Sequence, residues 1–224
     1  MRAVRQDPGP AGRAADAGLK VARPFADVLV LIRHGESTAN AAGLLLGRSD
    51  VELTSRGRLQ ARAAGALLEL VCRTVSSPLR RALDTAAELD LGRPVMVDER
   101  WVEVDYGVLE GRPVGEVPAD VWHRWRTDTG FRPEGGESLA EVSARVGEAC
   151  AELFAEPGEG ARSESGDVVV VSHVSPIKAA VAWALGARGP VAARMHLSTG
   201  SVTRIRWGGA GPVLVTYNEV PPLG

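Results

Sequence analysis

VLVLIRHGES, residues 28–37, is the stretch of the chain that indicates its fold. Residues 28–32 form a continuous run of β-branched and aliphatic side chains, which is typical of a strand covered on both faces. Arg33, His34 and Gly35 follow this run directly. We therefore predict a buried parallel strand whose carboxyl end carries Arg33 and His34.

A second apolar run carries a histidine at the equivalent place. Residues 168–171 are all valine, and Ser172 and His173 follow them directly. Ligands of open α/β sheets bind at the carboxyl ends of the strands. The chain contains only four histidines. Because His34 and His173 both stand at a strand end, the sequence predicts a shared site at this edge of the sheet.

Strand-like and helix-like segments alternate along the rest of the chain. Thr54 and Ser138 are predicted helix N-caps, and Glu141 completes a capping box with Ser138. The predicted helices cover about residues 54–70, 79–89, 138–153 and 176–185. The further predicted strands cover 74–75, 94–97, 202–205 and 213–217, and residues 101–125 are predicted to be irregular. This alternation predicts an α/β fold, a three-layer α/β/α sandwich with a mostly parallel central sheet.

Length and composition fit one globular domain. The chain has 224 residues, 45% of them apolar, and a net charge of −2 from 26 Lys and Arg against 28 Asp and Glu. This balance offers no basic field for nucleic acid or anionic lipid, so we expect neither as a partner. Residues 27–224 are predicted to form the domain. Residues 1–26 are predicted to be a flexible N-terminal extension, and a misassigned start codon would explain them equally well.

The two cysteines, Cys72 and Cys150, are far apart and lack the spacing of a zinc site or a disulfide framework. No run approaches the ~20 apolar residues of a membrane span, and the N-terminus lacks the apolar core of a secretory signal. We expect a cytoplasmic protein with reduced cysteines.

Four further motifs accompany RHGES. Residues 53–61 read LTSRGRLQA, 77–86 SPLRRALDTA, 103–111 EVDYGVLEG and 135–138 GGES. In this order the set resembles the histidine phosphatase superfamily, which has the phosphoglycerate mutase-like fold, over about residues 28–217. The central and C-terminal parts are similar to the α-ribazole phosphatase and acid phosphatase branch.

The resemblance implies a phosphohistidine mechanism without a cofactor or a metal. Arg33 and Arg81 are expected to hold the phosphate, because guanidinium forks pair with its oxygens in charge-assisted hydrogen bonds. The same cations disfavour protonation of His34, which leaves this expected nucleophile a lone pair for attack on phosphorus. His173 is expected to donate to the phosphate oxygens.

Glu103 is the expected general acid, because the resemblance places it first in the EVDYGVLEG stretch and a leaving alkoxide needs a proton. Three other carboxylates stay open as alternatives: Glu36, Asp105 and Glu137. Asn40 and Ser37 are expected to be further phosphate ligands.

Several points stay open at this stage. Arg80 is an alternative to its neighbour Arg81. Val174 stands where many relatives have glycine, and Leu109 replaces a usual tryptophan. Residues 122–132 are candidates for setting substrate preference, through Trp122, Trp125, Arg126 and Arg132; the alternative is a simple packed helix.

The sequence therefore predicts a metal-independent phosphomonoester hydrolase acting on a small phosphorylated metabolite, for example an α-ribazole phosphate-like compound or a sugar phosphate. The compact core favours the phosphatase branch. The alternatives are a cofactor-dependent phosphoglycerate mutase and a non-catalytic protein that binds phosphorylated ligands. A homodimer is one expected assembly.

Overall fold

The computed structural model describes residues 28–155, 166–187 and 190–223. The predicted extension, residues 1–26, lies outside the described residues. Six strands form one sheet in the order β3-β2-β4-β1-β5-β6. Their bounds are β1 Val28–Arg33, β2 Val71–Ser76, β3 Val95–Val97, β4 Asp167–Ser172, β5 Val202–Gly208 and β6 Gly211–Glu219.

The sheet is mostly parallel, as predicted. Strands β3, β2, β4 and β1 run parallel to one another, and β5 and β6 add an antiparallel pair next to β1. Arg33 at the end of β1 is in register with Ser172 at the end of β4. This register places His34 and His173 side by side at the carboxyl edge of the sheet.

Six helices cover the sheet. They are α1 Thr38–Ala41, α2 Ser55–Gly65, α3 Arg80–Glu88, α4 Ala119–Thr127, α5 Leu139–Leu153 and α6 Val174–Ala184. The two faces of β1 belong to different cores. Leu29 and Leu31 pack in the cluster that includes residues of α5 and α6. Val30 and Ile32 pack in the cluster that includes residues of α2 and α3. The predicted three-layer sandwich is thereby confirmed.

The helix boundaries are partly as predicted. The Thr54 cap and the capping box of Ser138 with Glu141 are both present. The prediction was wrong at three other places. Helix α2 ends at Gly65 rather than near residue 70. A side chain at position 65 would collide with the Leu89 carbonyl. Helix α6 begins at Val174, two residues before Pro176; a proline is tolerated there because the first N–H groups of a helix lack intrahelical partners.

The third difference is helix α4, which begins at Ala119 inside the stretch predicted to be irregular. Its Trp125 is buried against Tyr106 and Phe131, so tertiary packing stabilises a helix that the composition of this stretch does not indicate. Within the three described ranges, no helix has the length and apolarity to cross a membrane.

Candidate active site

His34 lies at the carboxyl end of β1 with its ring fixed from both sides. Its Nδ1 is 2.7 Å from the Gly35 carbonyl oxygen, which only accepts hydrogen bonds, so Nδ1 carries the proton. Its Nε2 accepts a hydrogen bond from Arg81 Nε at 3.3 Å. Burial lowers the pKa of His34 well below its ordinary value, and the cations of Arg81 and Arg33 lower it further. The ring is therefore neutral, with its lone pair on Nε2.

The turn after His34 is held by two glycines in direct contact. A Cβ on Gly35 would lie 2.2 Å from the Gly57 carbonyl oxygen, and a Cβ on Gly57 would lie 2.1 Å from the Glu36 carbonyl oxygen. No real Cβ fits at such distances, so both positions require glycine. Gly35 N–H also donates to Thr85 Oγ1 at 3.1 Å. The RHG and LTSRG motifs thus form one structural unit that positions the histidine.

Arg81, on the first turn of α3, is fully buried. It donates to His34 Nε2 and to the carbonyl oxygens of Ser49 at 2.9 Å and Gly47 at 2.6 Å. Burial lowers the pKa of Arg81 to about 10, so the guanidinium stays charged at neutral pH. Arg80 points elsewhere: it forms an exposed ion pair with Glu52 at 2.8 Å. Of the two arginines, only Arg81 reaches the histidine.

Glu110 holds the loop that Arg81 contacts, a role the sequence analysis did not assign. Its carboxylate accepts from the N–H groups of Gly47 at 2.9 Å, Ser49 at 3.1 Å and Arg48 at 3.3 Å. The loop 47–49 is therefore bound through its N–H groups by Glu110 and through its carbonyl groups by Arg81. The only sequence signal was the position of Glu110 within the EVDYGVLEG motif.

Arg33 supplies a second buried cation. One terminal nitrogen donates to the Leu197 carbonyl oxygen at 2.6 Å, while the buried Nε has no hydrogen-bond partner. Burial lowers the pKa of Arg33, and the Glu103 carboxylate partly offsets this effect. Within the described ranges, neither Arg33 nor Arg81 forms an ion pair with a carboxylate.

His173 is the N-cap residue of α6 and is completely buried. Its ring centroid is 5.1 Å from that of His34. Its Nε2 is 2.7 Å from Ser77 Oγ, and that oxygen accepts a weak hydrogen bond from Leu79 N–H at 3.4 Å. Burial and the Arg81 cation lower the pKa of His173 well below its ordinary value. The arrangement favours a neutral ring that accepts from Ser77 at Nε2 and carries its proton on the unpaired Nδ1.

Ser77 is a second site residue without a role in the sequence analysis. It is fully buried after β2 and fixes the His173 ring. Its sequence signal was its place at the head of SPLRRALDTA.

Glu103 lies against the N-terminus of α6 and is buried. Its Oε1 accepts from Val104 N–H at 2.8 Å and Ser175 N–H at 3.1 Å, and its Oε2 accepts from Val174 N–H at 3.1 Å. Each carboxylate oxygen has two lone pairs. Oε2 therefore has one lone pair left and is the oxygen that can exchange a proton.

The three alternative carboxylates have other contacts. Glu36 accepts from Thr54 Oγ1 at 2.8 Å, and Asp105 accepts from Gly107 N–H at 2.8 Å. Glu137 is paired with Arg145 at 2.9 Å and Arg48 at 3.2 Å. None of these contacts involves either active-site histidine.

Asn40 and Ser37 form a capping box around α1. Ser37 N–H and its hydroxyl both contact Asn40 Oδ1, at 3.1 and 3.0 Å. The Ser37 hydroxyl also accepts from Asn40 N–H at 3.2 Å. These bonds engage both donors of Ser37 and fix the Asn40 amide, whose Nδ2 has no acceptor among the described residues.

Val174 and Leu109 are the two residues that differ from the family pattern. The Val174 amide donates to Glu103 rather than pointing freely from the turn. Leu109 is buried in the same cluster as Tyr106 and Trp125.

A cavity of about 560 Å³ opens at the start of α6, where it is lined by Val174 and Ser175, whose N–H groups donate to Glu103. Trp122, Trp125 and Arg126 line it, together with residues at the start of α6. Arg132 does not: it pairs with Glu141 on the surface. The stretch 122–132 thus contributes a wall of the cavity through three of its four candidate residues. Across the described ranges, no cluster of three or more His, Cys, Asp or Glu side chains suits a metal ion.

Comparison with known proteins gives a consistent result. A family model described as the histidine phosphatase superfamily (branch 1) matches residues 29–220. A bifunctional protein of Mycobacterium tuberculosis is 36% identical over 183 residues, which are 78% of this chain and 49% of that protein. The chain thus spans about half the length of that relative. A glucosyl-3-phosphoglycerate phosphatase of the same organism is 39% identical over 154 residues, 65% of this chain and 69% of the relative.

Solved structures show the same fold. A mycobacterial glucosyl-3-phosphoglycerate phosphatase in complex with VO3 superimposes with a TM-score of 0.78 at 33% identity, covering 87% of this chain and 100% of that one. A putative α-ribazole-5′-P phosphatase of Escherichia coli gives a TM-score of 0.72 at 28% identity, covering 87% and 97%. A probable phosphoglycerate mutase of an Enterobacter species is also similar, at 35% identity over 78% of this chain and 82% of its own length.

Proposed function

The chain belongs to the histidine phosphatase superfamily, branch 1, and from that premise we propose that it hydrolyses a small phosphomonoester through a phosphohistidine intermediate, without a metal. The observation that carries the proposal is the His34 ring. Its proton is held on Nδ1 by the Gly35 carbonyl, so the lone pair of a neutral imidazole lies on Nε2 beside the Arg81 guanidinium.

Arg33 and Arg81 are proposed to bind the phosphate oxygens. Apart from the hydrogen bond from Arg81 to the neutral His34 ring, their described contacts are to main-chain carbonyls, which do not neutralise a cation, so both charges act on the bound dianion. Arg33 Nε and His173 Nδ1 are buried without partners and provide two further donors. Asn40 Nδ2 is proposed as another donor, and Ser37 as the residue that orients it.

In the first step, His34 Nε2 attacks phosphorus, and the bond from phosphorus to the ester oxygen breaks. Glu103 Oε2 transfers its proton to that oxygen, which leaves as an alcohol. In the second step, the Glu103 carboxylate takes a proton from water, and the resulting hydroxide attacks phosphorus. The bond from phosphorus to Nε2 breaks, and inorganic phosphate leaves. Both steps balance, and Glu103 ends each cycle protonated.

The substrate class follows from the size of the site. A cavity of about 560 Å³ at the start of α6 accommodates a leaving group as large as a sugar or nucleoside. Glucosyl-3-phosphoglycerate and α-ribazole phosphate, named for two relatives, are therefore our first candidate substrates. We propose a cytoplasmic location.

A cofactor-dependent phosphoglycerate mutase is the second candidate, because one similar relative is a probable mutase. A mutase returns the phosphoryl group to an organic acceptor instead of to water. The two activities differ in whether inorganic phosphate accumulates.

The test measures phosphate release from 4-nitrophenyl phosphate, glucosyl-3-phosphoglycerate, α-ribazole phosphate and 3-phosphoglycerate in the presence of a chelator. We expect release from at least one ester, and a loss of at least ~10³-fold in kcat for His34→Ala. His123→Ala, an exposed histidine on α4, is the control and is expected to match the wild type. Unchanged activity in His34→Ala would refute the nucleophile, and isomerised 3-phosphoglycerate without phosphate release would support the mutase.

A further inference from the structure

The cavity at the start of α6 carries positive charge that the proposed hydrolysis does not use. Lys178 and Arg126 line it, and no Asp or Glu of the described residues is among its lining. The remaining lining is largely apolar and includes the side chains of Trp122 and Leu139. Such a mixture fits a ligand that has both an apolar or flat part and an anionic group.

Lys178 is the cavity cation on α6, the helix whose first N–H groups donate to Glu103. It lies on α6 one turn after Val174 and is half-buried. No hydrogen bond or ion pair to it occurs within the described residues. Burial lowers the pKa of Lys178, the Glu103 carboxylate raises it and the Arg33 cation lowers it, so the ammonium lies within electrostatic range of both. A half-buried ammonium without an acceptor is costly unless a ligand supplies one.

Arg126 differs from the other arginines in its region. Arg124 stacks on the Phe131 ring, with its guanidinium carbon 4.1 Å from the ring centroid. Arg132 pairs with Glu141. Arg126 lies on the last turn of α4, lines the cavity and has no ion-pair partner among the described residues. Helix α4 therefore brings one unpaired guanidinium to the cavity opposite the lysine of α6.

We propose that this cavity binds the leaving-group part of the substrate and that Lys178 and Arg126 bind a second anionic group there, either a carboxylate or a second phosphate. The inference rests on the proposed function of the phosphate site. It adds that the preferred substrates are phosphomonoesters carrying a second negative charge, and it makes Lys178 and Arg126 specificity-determining residues.

The test compares ligands that differ only in that charge. One series is 4-carbamoylphenyl phosphate, 4-carboxyphenyl phosphate and benzene-1,4-diyl bisphosphate, which carry a neutral amide, a carboxylate and a phosphate on the same ring. A shorter pair is glycerol 3-phosphate and 3-phosphoglycerate. Affinity is measured by calorimetry on His34→Ala, which separates binding from turnover, and kcat/KM is measured on the enzyme with His34 intact.

Each preference is expressed as a ratio: the affinity or kcat/KM for an anionic ligand divided by the same quantity for its neutral match. We expect a ratio of at least ~10 in at least one series, because a charge-assisted hydrogen bond discriminates by roughly 10- to 100-fold. Lys178→Met keeps the length and packing of the side chain and should reduce the ratio to near 1. Arg126→Gln, at an exposed position that does not threaten folding, should reduce it in part, and Arg124→Gln on the same helix should leave it unchanged.

The carboxylate and phosphate arms identify which anion is preferred. Equal affinity for neutral and anionic ligands, or a preference that survives in both Lys178→Met and Arg126→Gln, would overturn the proposal. Failure of the proposed function has a different signature: the wild type would hydrolyse no ester, while the binding preference in His34→Ala and its loss in the lysine variant would still support the anion site.

Discussion

The two active-site histidines predict a loss of stability in mild acid. Burial and the neighbouring guanidiniums lower the pKa of both His34 and His173 well below the ordinary value of 6.5. In the unfolded chain both rings take up a proton as the pH falls through about 6.5. In the folded protein they stay neutral until a much lower pH. Protons therefore bind preferentially to the unfolded state, and the free energy of unfolding falls as the solution is acidified.

The size of the effect follows from proton linkage. Each histidine that is protonated only in the unfolded state lowers the unfolding free energy by about 1.4 kcal/mol per pH unit. Because the unfolded rings are only half protonated at pH 6.5, the pair is expected to cost about 2 kcal/mol between pH 6.5 and 5.5. The pKa is also lowered for three carboxyl groups, those of Glu88, Asp98 and Glu141. They reduce the unfolding free energy only when the pH falls below about their ordinary pKa values, 4.5 for Glu and 3.8 for Asp. The window above pH 5 thus isolates the histidines.

Urea unfolding followed by tryptophan fluorescence between pH 7.5 and 5.5 measures this dependence. His34→Gln should remove about half of the slope, because one of the two buried rings is gone. His123→Gln, at an exposed position, should leave the slope unchanged. A wild-type stability that is flat down to pH 5.5, or a slope unaffected by His34→Gln, would show that these rings are not held neutral and would refute the electrostatic reasoning behind the nucleophile.

Two further substitutions test the scaffold of the site. Gly57→Ala places a methyl group 2.1 Å from the Glu36 carbonyl oxygen, so we expect the unfolding free energy measured in urea to fall by roughly 2–4 kcal/mol. The control is Gly115→Ala, where a Cβ meets nothing within 4 Å, and it should leave the stability unchanged. Equal effects of the two substitutions would contradict the close-contact argument. Glu110→Gln removes a carboxylate that accepts N–H groups of loop 47–49. We expect it to lower kcat/KM for 4-nitrophenyl phosphate by about 10-fold or more, because Arg81 loses its fixed acceptors; unchanged kinetics would show that the loop does not position Arg81.

The parts of the fold that the sequence predicted well are those determined by neighbouring residues. The buried run at residues 28–32 and the caps at Thr54 and Ser138 depend on side chains within a few positions of one another. The adjacency of His34 and His173 was predictable because parallel strands end at one edge of the sheet. For residues 122–132 a packed helix was one of two interpretations, and the sequence left the choice open because α4 is stabilised by packing of Trp125 against distant rings.

The site residues that the sequence did not assign act on groups that are distant from them in the sequence. Glu110 binds the N–H groups of residues 47–49, more than 60 positions away. Ser77 binds the ring of His173, 96 positions away. A residue type shows what chemistry a side chain has, but the direction of a main-chain N–H group depends on the complete fold. The motif favoured Arg81, but Arg80 stayed an alternative because the start of α3 decides which of the two neighbours enters the core.

The electrostatics of the site keep one basic side chain charged and its neighbour neutral. Arg81 is held by carbonyl oxygens and keeps its charge up to a pKa of about 10, while burial keeps His34 neutral well below pH 6.5. A neutral His34 and a charged Arg81 thus coexist across the whole neutral pH range. A variation of kcat/KM within that range therefore does not come from His34 or Arg81, and the second ionisation of the substrate phosphate near pH 6 is one source of it. Because the substrate ionises equally in every variant, a pH dependence that changes in Glu103→Gln belongs to the acid, and one that persists belongs to the substrate.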